Sequence, residues 1–320
     1  MKKLLYLMIL ILPVSLFLAG CGSKDQNNGV KKDENKLVVY TTVYPLQYIT
    51  EEIGKEFVQV ETIYPPGADT HNFEPTQKDM MKLADSDLFI YIGLGMEGFA
   101  DKVEKTLKRE DVTLLPAGEK IHLEDTANAA TNKEETSPSE DEHDHGDIDP
   151  HVWLDPIYTK DLAESIKDAL VKKLPEQKDL FEKNYAQLTE KLEDLNTKFE
   201  STIAKAKHNE IIVSHAAYGY WEERYGIKQI SISGISPSDE PDQKELTKII
   251  NTIKDHNIKY IFFEQNVNSK LAQVIQEEID GESLVLHNLS VLTDEDISKK
   301  RNYFSIMEDN LNALEKALND

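Results

Sequence analysis

Three of the nine histidines stand at places where the sequence predicts ligand-binding loops. His71 follows a predicted strand, His215 directly follows the apolar run 211–214, and His151 lies where a long polar segment ends. Loops at the carboxyl ends of parallel strands form the usual ligand-binding edge of a sheet. Imidazoles gathered there would bind a divalent metal ion. A lone histidine at a strand end is more often a hydrogen-bonded structural residue. Three histidines in such loops leave both interpretations open on the residues alone.

Composition limits which ligands such a site could use. The chain has a single cysteine, Cys21, so disulfides and cysteine-ligated metal sites are excluded if that thiol is modified. Any metal is then held by His, Asp, Glu or water. The formal net charge of −23 repels nucleic acid and anionic lipid head groups, so we expect no nucleic-acid partner. Solubility alone would explain this charge equally well.

The N-terminus predicts export and a lipid anchor. Lys2 and Lys3 precede an uncharged apolar segment that ends in the sequence Leu18-Ala19-Gly20-Cys21. The segment is short for a transmembrane helix and has the organisation of a secretory signal. Its end resembles the bacterial lipobox, which predicts a signal peptide at 1–20, lipidation of Cys21 and a flexible tether at 21–36. An ordinary signal with a chance cysteine is the alternative; either way the chain functions outside the cytoplasmic membrane.

Strands alternating with helices predict a doubly wound α/β fold with parallel sheets. The pattern stops in an acidic loop at 119–149 and in a helical region at 161–208, and it divides the chain into lobes at 37–160 and 209–320. Apolar residues at three- and four-residue steps predict one helix over 176–206, roughly 45 Å long. Strands are predicted at 37–42, 58–64, 87–92, 210–214, 229–232, 260–263 and 283–286, and further helices at about 45–55, 77–85, 97–108, 156–174, 240–255, 268–279 and 302–318.

Four motifs resemble one known family. They are Tyr64-Pro65-Pro66-Gly67 leading to His71 and Glu74-Pro75; the octapeptide DPHVWLDP at 149–156; SHAAYGY at 214–220; and FFE at 262–264. Together they resemble the zinc- and manganese-specific ABC-transporter solute-binding lipoproteins (cluster A-I), from about Lys36 to the C-terminus. The resemblance implies two (β/α) lobes joined by one long rigid helix, with a metal ion in the cleft between them.

The resemblance also implies a ligand set. It makes His71 and His151 ligands from the N-terminal lobe and His215 a ligand from the C-terminal lobe. Family members that select zinc tend to have histidine at the position of His215, and manganese members a carboxylate. The chemistry agrees, because imidazole suits zinc and manganese favours oxygen donors.

The chain departs from the family pattern at the fourth ligand. Related zinc proteins often have a glutamate where this chain has Ser290, and manganese proteins use an aspartate near the stretch 300–303, which is Lys-Arg-Asn-Tyr here. We expect water in the fourth position, or a carboxylate from Glu264, Glu240 or Asp239.

The other histidines and the tryptophans have secondary roles in this interpretation. His143 and His145 resemble a shortened version of the histidine-rich loops of zinc members and would capture metal weakly, with His122 nearby, unless the loop is simply solvated. His208, His256 and His287 are interpreted as structural. Trp153 and Trp221 are predicted core residues beside the histidines.

The predicted function is that of a monomeric, extracytoplasmic lipoprotein that captures Zn²⁺ and delivers it to an ABC-transporter permease with a cytoplasmic ATPase. The alternatives are a manganese-binding protein of the same family, a surface adhesin with a structural metal, and an extracellular zinc hydrolase. The sequence has no HExxH helix and no general base spaced beside a histidine, so no enzymatic activity is predicted.

Overall fold

The chain folds into two lobes, each built on a four-stranded parallel β-sheet. The structure is a computed structural model that describes residues 36–121, 123, 148–267 and 269–320. The N-terminal lobe has strand order β2-β1-β3-β4, and the C-terminal lobe repeats it as β6-β5-β7-β8. The strands are β1 Leu37–Thr41, β2 Val58–Thr62, β3 Leu88–Tyr91, β4 Thr113–Pro116, β5 Glu210–His215, β6 Lys228–Ser233, β7 Tyr260–Phe263 and β8 Glu282–Val285.

The central strands of each sheet are mostly apolar and buried. All four residues of β3 are buried, as expected of a strand enclosed on two sides. The helices are α1 Tyr44–Gly54, α2 Gln77–Ala84, α3 Ala100–Leu107, α4 Pro156–Lys173, α5 Lys178–Ile203, α6 Gly219–Tyr225, α7 Gln243–His256, α8 Lys270–Glu278, α9 Asp294–Ser298 and α10 Tyr303–Ala317. None of the helices within the described residues combines the length and apolarity needed to cross a membrane.

The long helix α5 connects the two lobes. It has 26 residues, so it is about 39 Å long. A 3₁₀ turn at Pro175–Gln177 separates it from α4, because proline cannot continue the preceding helix. Its buried residues recur every three or four positions and face α1 of the first lobe and α10 of the second. The predicted architecture of two α/β lobes with a long linking helix is confirmed.

The core extends across the boundary between the lobes. One cluster of buried residues includes members of both sheets and of α5, and a smaller one lies on one side of the C-terminal sheet around Ile212, Ile253 and Ile275. Two tryptophans join the lobes by hydrogen bonds: Trp153 Nε1 donates to the carbonyl of Asn288, and Trp221 Nε1 donates to the carbonyl of Leu154, both at 2.8 Å. Both side chains are fully buried, which confirms them as core residues.

The sequence did not predict three of these elements. Strand β4 is short and ends in proline, and the helices α6 and α9 have seven and five residues. Helices α6 and α9 contain too few residues to show a helical period, and strand β4 has only two strongly apolar residues before its proline.

Candidate metal centre

His71 lies on the loop that connects β2 to α2. The loop starts with a turn in which Gly67 adopts φ 71° and Ala68 N donates to Pro65 O. Asp69 then accepts the backbone N–H of His71 at 3.1 Å. Both of these hydrogen bonds form between residues of the loop itself. The imidazole of His71 is only partly buried.

His151 lies just before a short 3₁₀ turn at Val152–Leu154 and is 1% exposed. Asp149, two residues earlier, accepts the backbone N–H of His151 at 3.0 Å and lies 2.7 Å from its Nδ1. Asp149 itself is held by the C-terminal lobe, where the hydroxyl of Tyr220 donates to its carbonyl. Gly219 makes room for this carboxylate, since a Cβ there would lie 2.7 Å from Asp149 Oδ2.

His215 is the last residue of β5 and is also 1% exposed. Its Nδ1 lies 2.8 Å from Oε1 of Glu264, which follows the neighbouring strand β7. This is ion-pair distance, although the angle between the two groups does not meet hydrogen-bond geometry. Adjacent strands of a parallel sheet thus place a carboxylate behind the imidazole.

The structure brings the three imidazoles together with their Nε2 atoms facing one another. His151 Nε2 lies 3.2 Å from His71 Nε2 and 3.4 Å from His215 Nε2. Potential ligand atoms of the three residues all lie within 4.8 Å of one another. On a tetrahedral zinc ion with Zn–N bonds of about 2.0–2.1 Å, two nitrogens are about 3.3–3.4 Å apart. The cluster therefore has the dimensions that a single zinc ion requires.

Carboxylates on the outer nitrogens orient two of the imidazoles. Asp149 and Glu264 face the Nδ1 atoms of His151 and His215, so a proton held there leaves each Nε2 lone pair directed into the cluster. Two lone pairs oriented in this way, close to the imidazole of His71, favour a cation between the three rings.

The surroundings shift the pKa values of His71 and His215 in opposite directions. Burial, together with the neighbouring imidazoles of His151 and His215, lowers the pKa of His71 to about 3, so His71 is neutral at physiological pH. Burial also opposes protonation of His215, but the carboxylate of Glu264 outweighs it and the pKa of His215 is raised. A metal ion at His215 would therefore compete with a proton that Glu264 favours.

The three carboxylates considered for the fourth position lie outside the cluster. Among the described residues, the group of potential metal ligands contains His71, His151 and His215 alone. Glu264 is directed at the outer nitrogen of His215, and Asp239 and Glu240 are exposed. Asp239 instead accepts the backbone N–H of Ser236 within its own turn.

Ser290, at the position where related zinc proteins often have glutamate, is buried. Its hydroxyl donates to Oδ1 of Asn288 at 2.9 Å.

The remaining histidines have other environments. His287 is buried, accepts the backbone N–H of Leu289 at Nδ1 and faces Asp296 at Nε2. His256 pairs with Glu210 at the surface, and His208 is exposed. The signal segment, Cys21, His122, His143 and His145 lie outside the described residues.

The sequence analysis assigned no role to Asp149 and considered Glu264 only as a candidate fourth ligand, not as the neighbour of the outer nitrogen of His215. An aspartate two residues before a histidine signals a local turn in which the carboxylate reaches the following backbone, so Asp149 could have been found. The position of Glu264 behind His215 depends on the pairing of β5 with β7, which no local pattern encodes.

Two parallel-sheet lobes that bring loops together at their carboxyl edges, linked by a long helix, define a solute-binding protein of the two-lobed type. The chain belongs to the family described as zinc-uptake complex component A, periplasmic (ZnuA), whose model matches residues 39–317.

Individual relatives agree with this membership. The high-affinity zinc uptake system protein ZnuA of Bacillus subtilis is 34% identical over 95% of this chain and 94% of the relative. The zinc-binding lipoprotein AdcA of Streptococcus pneumoniae is 34% identical over 99% of this chain, which spans only 61% of that longer protein.

Solved structures show the same fold. The crystal structure of Zn(II)-bound AdcA from S. pneumoniae superposes with a TM-score of 0.74 at 33% identity, covering 89% of this chain and 58% of that one. The laminin-binding protein Lmb of Streptococcus agalactiae, described as bifunctional with adhesin and metal transporting activity, gives a TM-score of 0.76 at 27% identity over 88% of this chain and 99% of its own.

Proposed function

We propose that this chain captures Zn²⁺ outside the cytoplasmic membrane through His71, His151 and His215 and delivers it to an ABC-transporter permease. The observation that carries the proposal is the convergence of three Nε2 atoms at 3.2 and 3.4 Å, with carboxylates behind two of the rings. Family membership and the zinc-binding relatives support it. Zn²⁺ is the cargo in this proposal.

The donor set favours zinc over manganese. Three neutral imidazole nitrogens suit zinc, whereas manganese prefers oxygen ligands. No carboxylate joins the cluster among the described residues, so water completes a tetrahedral arrangement.

The arrangement does not favour hydrolysis. A catalytic zinc site needs a general base close to the metal-bound water. The two carboxylates beside the cluster, Asp149 and Glu264, face the outer nitrogens of His151 and His215. We therefore propose a binding protein without enzymatic activity.

Zinc capture is tested by equilibrium dialysis and elemental analysis of protein purified without chelators, with competition between zinc and manganese. The variant with His71, His151 and His215 all changed to alanine should lose tight zinc binding. A variant with the surface residues His208 and His256 changed to alanine is the control and should bind as wild type does. Full-strength zinc binding by the triple variant would falsify the assignment of the site.

Delivery and anchoring need tests in cells. A strain without this chain should grow poorly in zinc-depleted medium, and wild-type protein but not the triple variant should restore growth. Cys21→Ala should release the chain from the membrane fraction if Cys21 carries the lipid anchor. Restored growth with the triple variant, or unchanged membrane association of Cys21→Ala, would contradict the respective part of the proposal.

A further inference from the structure

The turn that leads to His71 is held by the opposite lobe. Asn266, in the segment after β7, donates from Nδ2 to the carbonyl of Ala68 at 2.9 Å. Next to it, Gly67 N donates to the carbonyl of Leu292 at 3.0 Å. These hydrogen bonds join the two lobes at residues three and four positions before His71.

The same segment after β7 also contacts His215 directly and is linked to His151 through two intervening residues. Glu264 lies behind His215, as described above. Gln265 holds Asn288 with two hydrogen bonds, of 2.9 Å from its Nε2 to Oδ1 and of 3.1 Å from Asn288 N to its Oε1. The carbonyl of Asn288 accepts the indole N–H of Trp153, whose ring packs against His151 at 5.2 Å between centroids.

The three side chains differ in what they hold. Glu264 faces the almost fully buried His215, and Gln265 is linked to the equally buried His151 only through Asn288 and Trp153. Asn266 instead bonds the loop of the partly exposed His71. Loss of the Asn266 hydrogen bond would therefore free the one ligand that is not already enclosed by the core.

We infer that Asn266 is a positioning residue for His71 and slows release of the metal by holding the His71 loop against the C-terminal lobe. The inference rests on the proposed function and concerns the kinetics of the same site. Release of a bound ion requires its ligands to separate, and the His71 loop is the part of the cluster with the fewest buried contacts to break. Capture depends less on Asn266, because His151 and His215 are already in place to bind first.

The test is a stopped-flow measurement of zinc release into excess chromophoric chelator. In Asn266→Leu the side chain keeps its size and loses both the donor to Ala68 and the weaker 3.3 Å acceptor for Asn288 Nδ2. We expect zinc release about two- to tenfold faster, the range that corresponds to one net hydrogen bond, with a nearly unchanged association rate. The matched control is Asn209→Leu, since Asn209 Nδ2 donates to the carbonyl of Gly226 at 2.7 Å, within the C-terminal lobe.

A double-mutant cycle separates positioning of His71 from a general loss of structure. In a His71→Ala background, Asn266→Leu should change zinc release by less than about twofold, because the ligand through which it acts is gone. An effect of equal size in that background would show that Asn266 acts elsewhere, for example through Asn288 and Trp153, and would overturn the inference.

The outcomes also distinguish this inference from the proposed function. Wild-type protein that binds zinc, combined with unchanged release from Asn266→Leu, contradicts the inference alone. Wild-type protein that binds no zinc contradicts the proposed function and the inference together.

Discussion

The two sides of the histidine cluster are built differently. His151 and His215 are each 1% exposed, and a carboxylate lies within 2.8 Å of each outer nitrogen. His71 is partly exposed on a loop that is organised mainly by its own turn and by contacts with the other lobe. Under the proposed function, two ligands are preorganised in the core and the third lies on a more exposed loop. Preorganised ligands give affinity, whereas a ligand on a loop permits release.

The largest expected effects come from replacing one histidine on each side of the cluster, His215 on the buried side and His71 on the more exposed side. His215→Ala and His71→Ala should each weaken zinc binding more than about 100-fold, since loss of an outer partner already costs 10–100-fold. Their effects on the apo-protein should differ. His215→Ala leaves the carboxylate of Glu264 buried without its neighbour, so we expect a loss of about 3–5 kcal/mol in the free energy of unfolding.

Chemical denaturation of the chelator-treated variants measures this difference. His71→Ala should unfold close to wild type, because its side chain is only partly buried. Equal destabilisation by the two substitutions would mean that the two sides of the cluster are equally integrated into the core.

Changes to the outer carboxylates should have the next largest effect. Asp149→Asn and Glu264→Gln should each lower zinc affinity about 10–100-fold, because each substitution removes the negative charge that faces the outer nitrogen of a proposed ligand histidine. The matched change on the other side is Asp69→Asn, since Asp69 binds the backbone N–H of His71. It should reduce affinity less, and competition titration with a zinc indicator compares the three.

The pH dependence of zinc binding provides a third test. A histidine must lose its proton to bind zinc, and an unperturbed imidazole has a pKa of about 6.5. Because Glu264 raises the pKa of His215, proton competition should weaken binding as pH falls even above that value. His71, whose pKa is lowered to about 3, should contribute little to this dependence.

Glu264→Gln removes the charge that favours the protonated ring, so the pH at which affinity falls should shift downward. Isothermal titration at several pH values measures the shift. A pH profile that is the same in wild type and Glu264→Gln would show that His215 does not control it.

The smallest effect is expected from the turn before His71. Gly67 has φ 71° and open space where a Cβ would stand, and Gly226 at the end of α6 has φ 73° and similar space. Alanine at either position should cost about 1 kcal/mol in the free energy of unfolding because of the left-handed backbone. Only Gly67→Ala should also accelerate zinc release, and Gly226→Ala serves as its control in both measurements.

The sequence by itself determined the elements and the residue types of the site. Apolar runs such as 211–214 and the periodic spacing along α5 predict buried strands and a helix, because each pattern reflects which side of one element faces the core. His71, His151 and His215 were identified because each follows a strand or a loop with distinctive neighbours. The family resemblance indicated that the three residues bind one metal ion.

Only the tertiary structure decided how these residues meet. The proposed ligands His71 and His215 are separated by more than a hundred positions in the chain, and Asn266 and Ala68 by 198. The pairing of β5 with β7 places the carboxylate of Glu264 beside the outer nitrogen of His215, which the sequence does not predict. Local patterns report whether a side chain is buried, but distances between loops of different lobes follow from packing of the whole core, which no short stretch of sequence encodes.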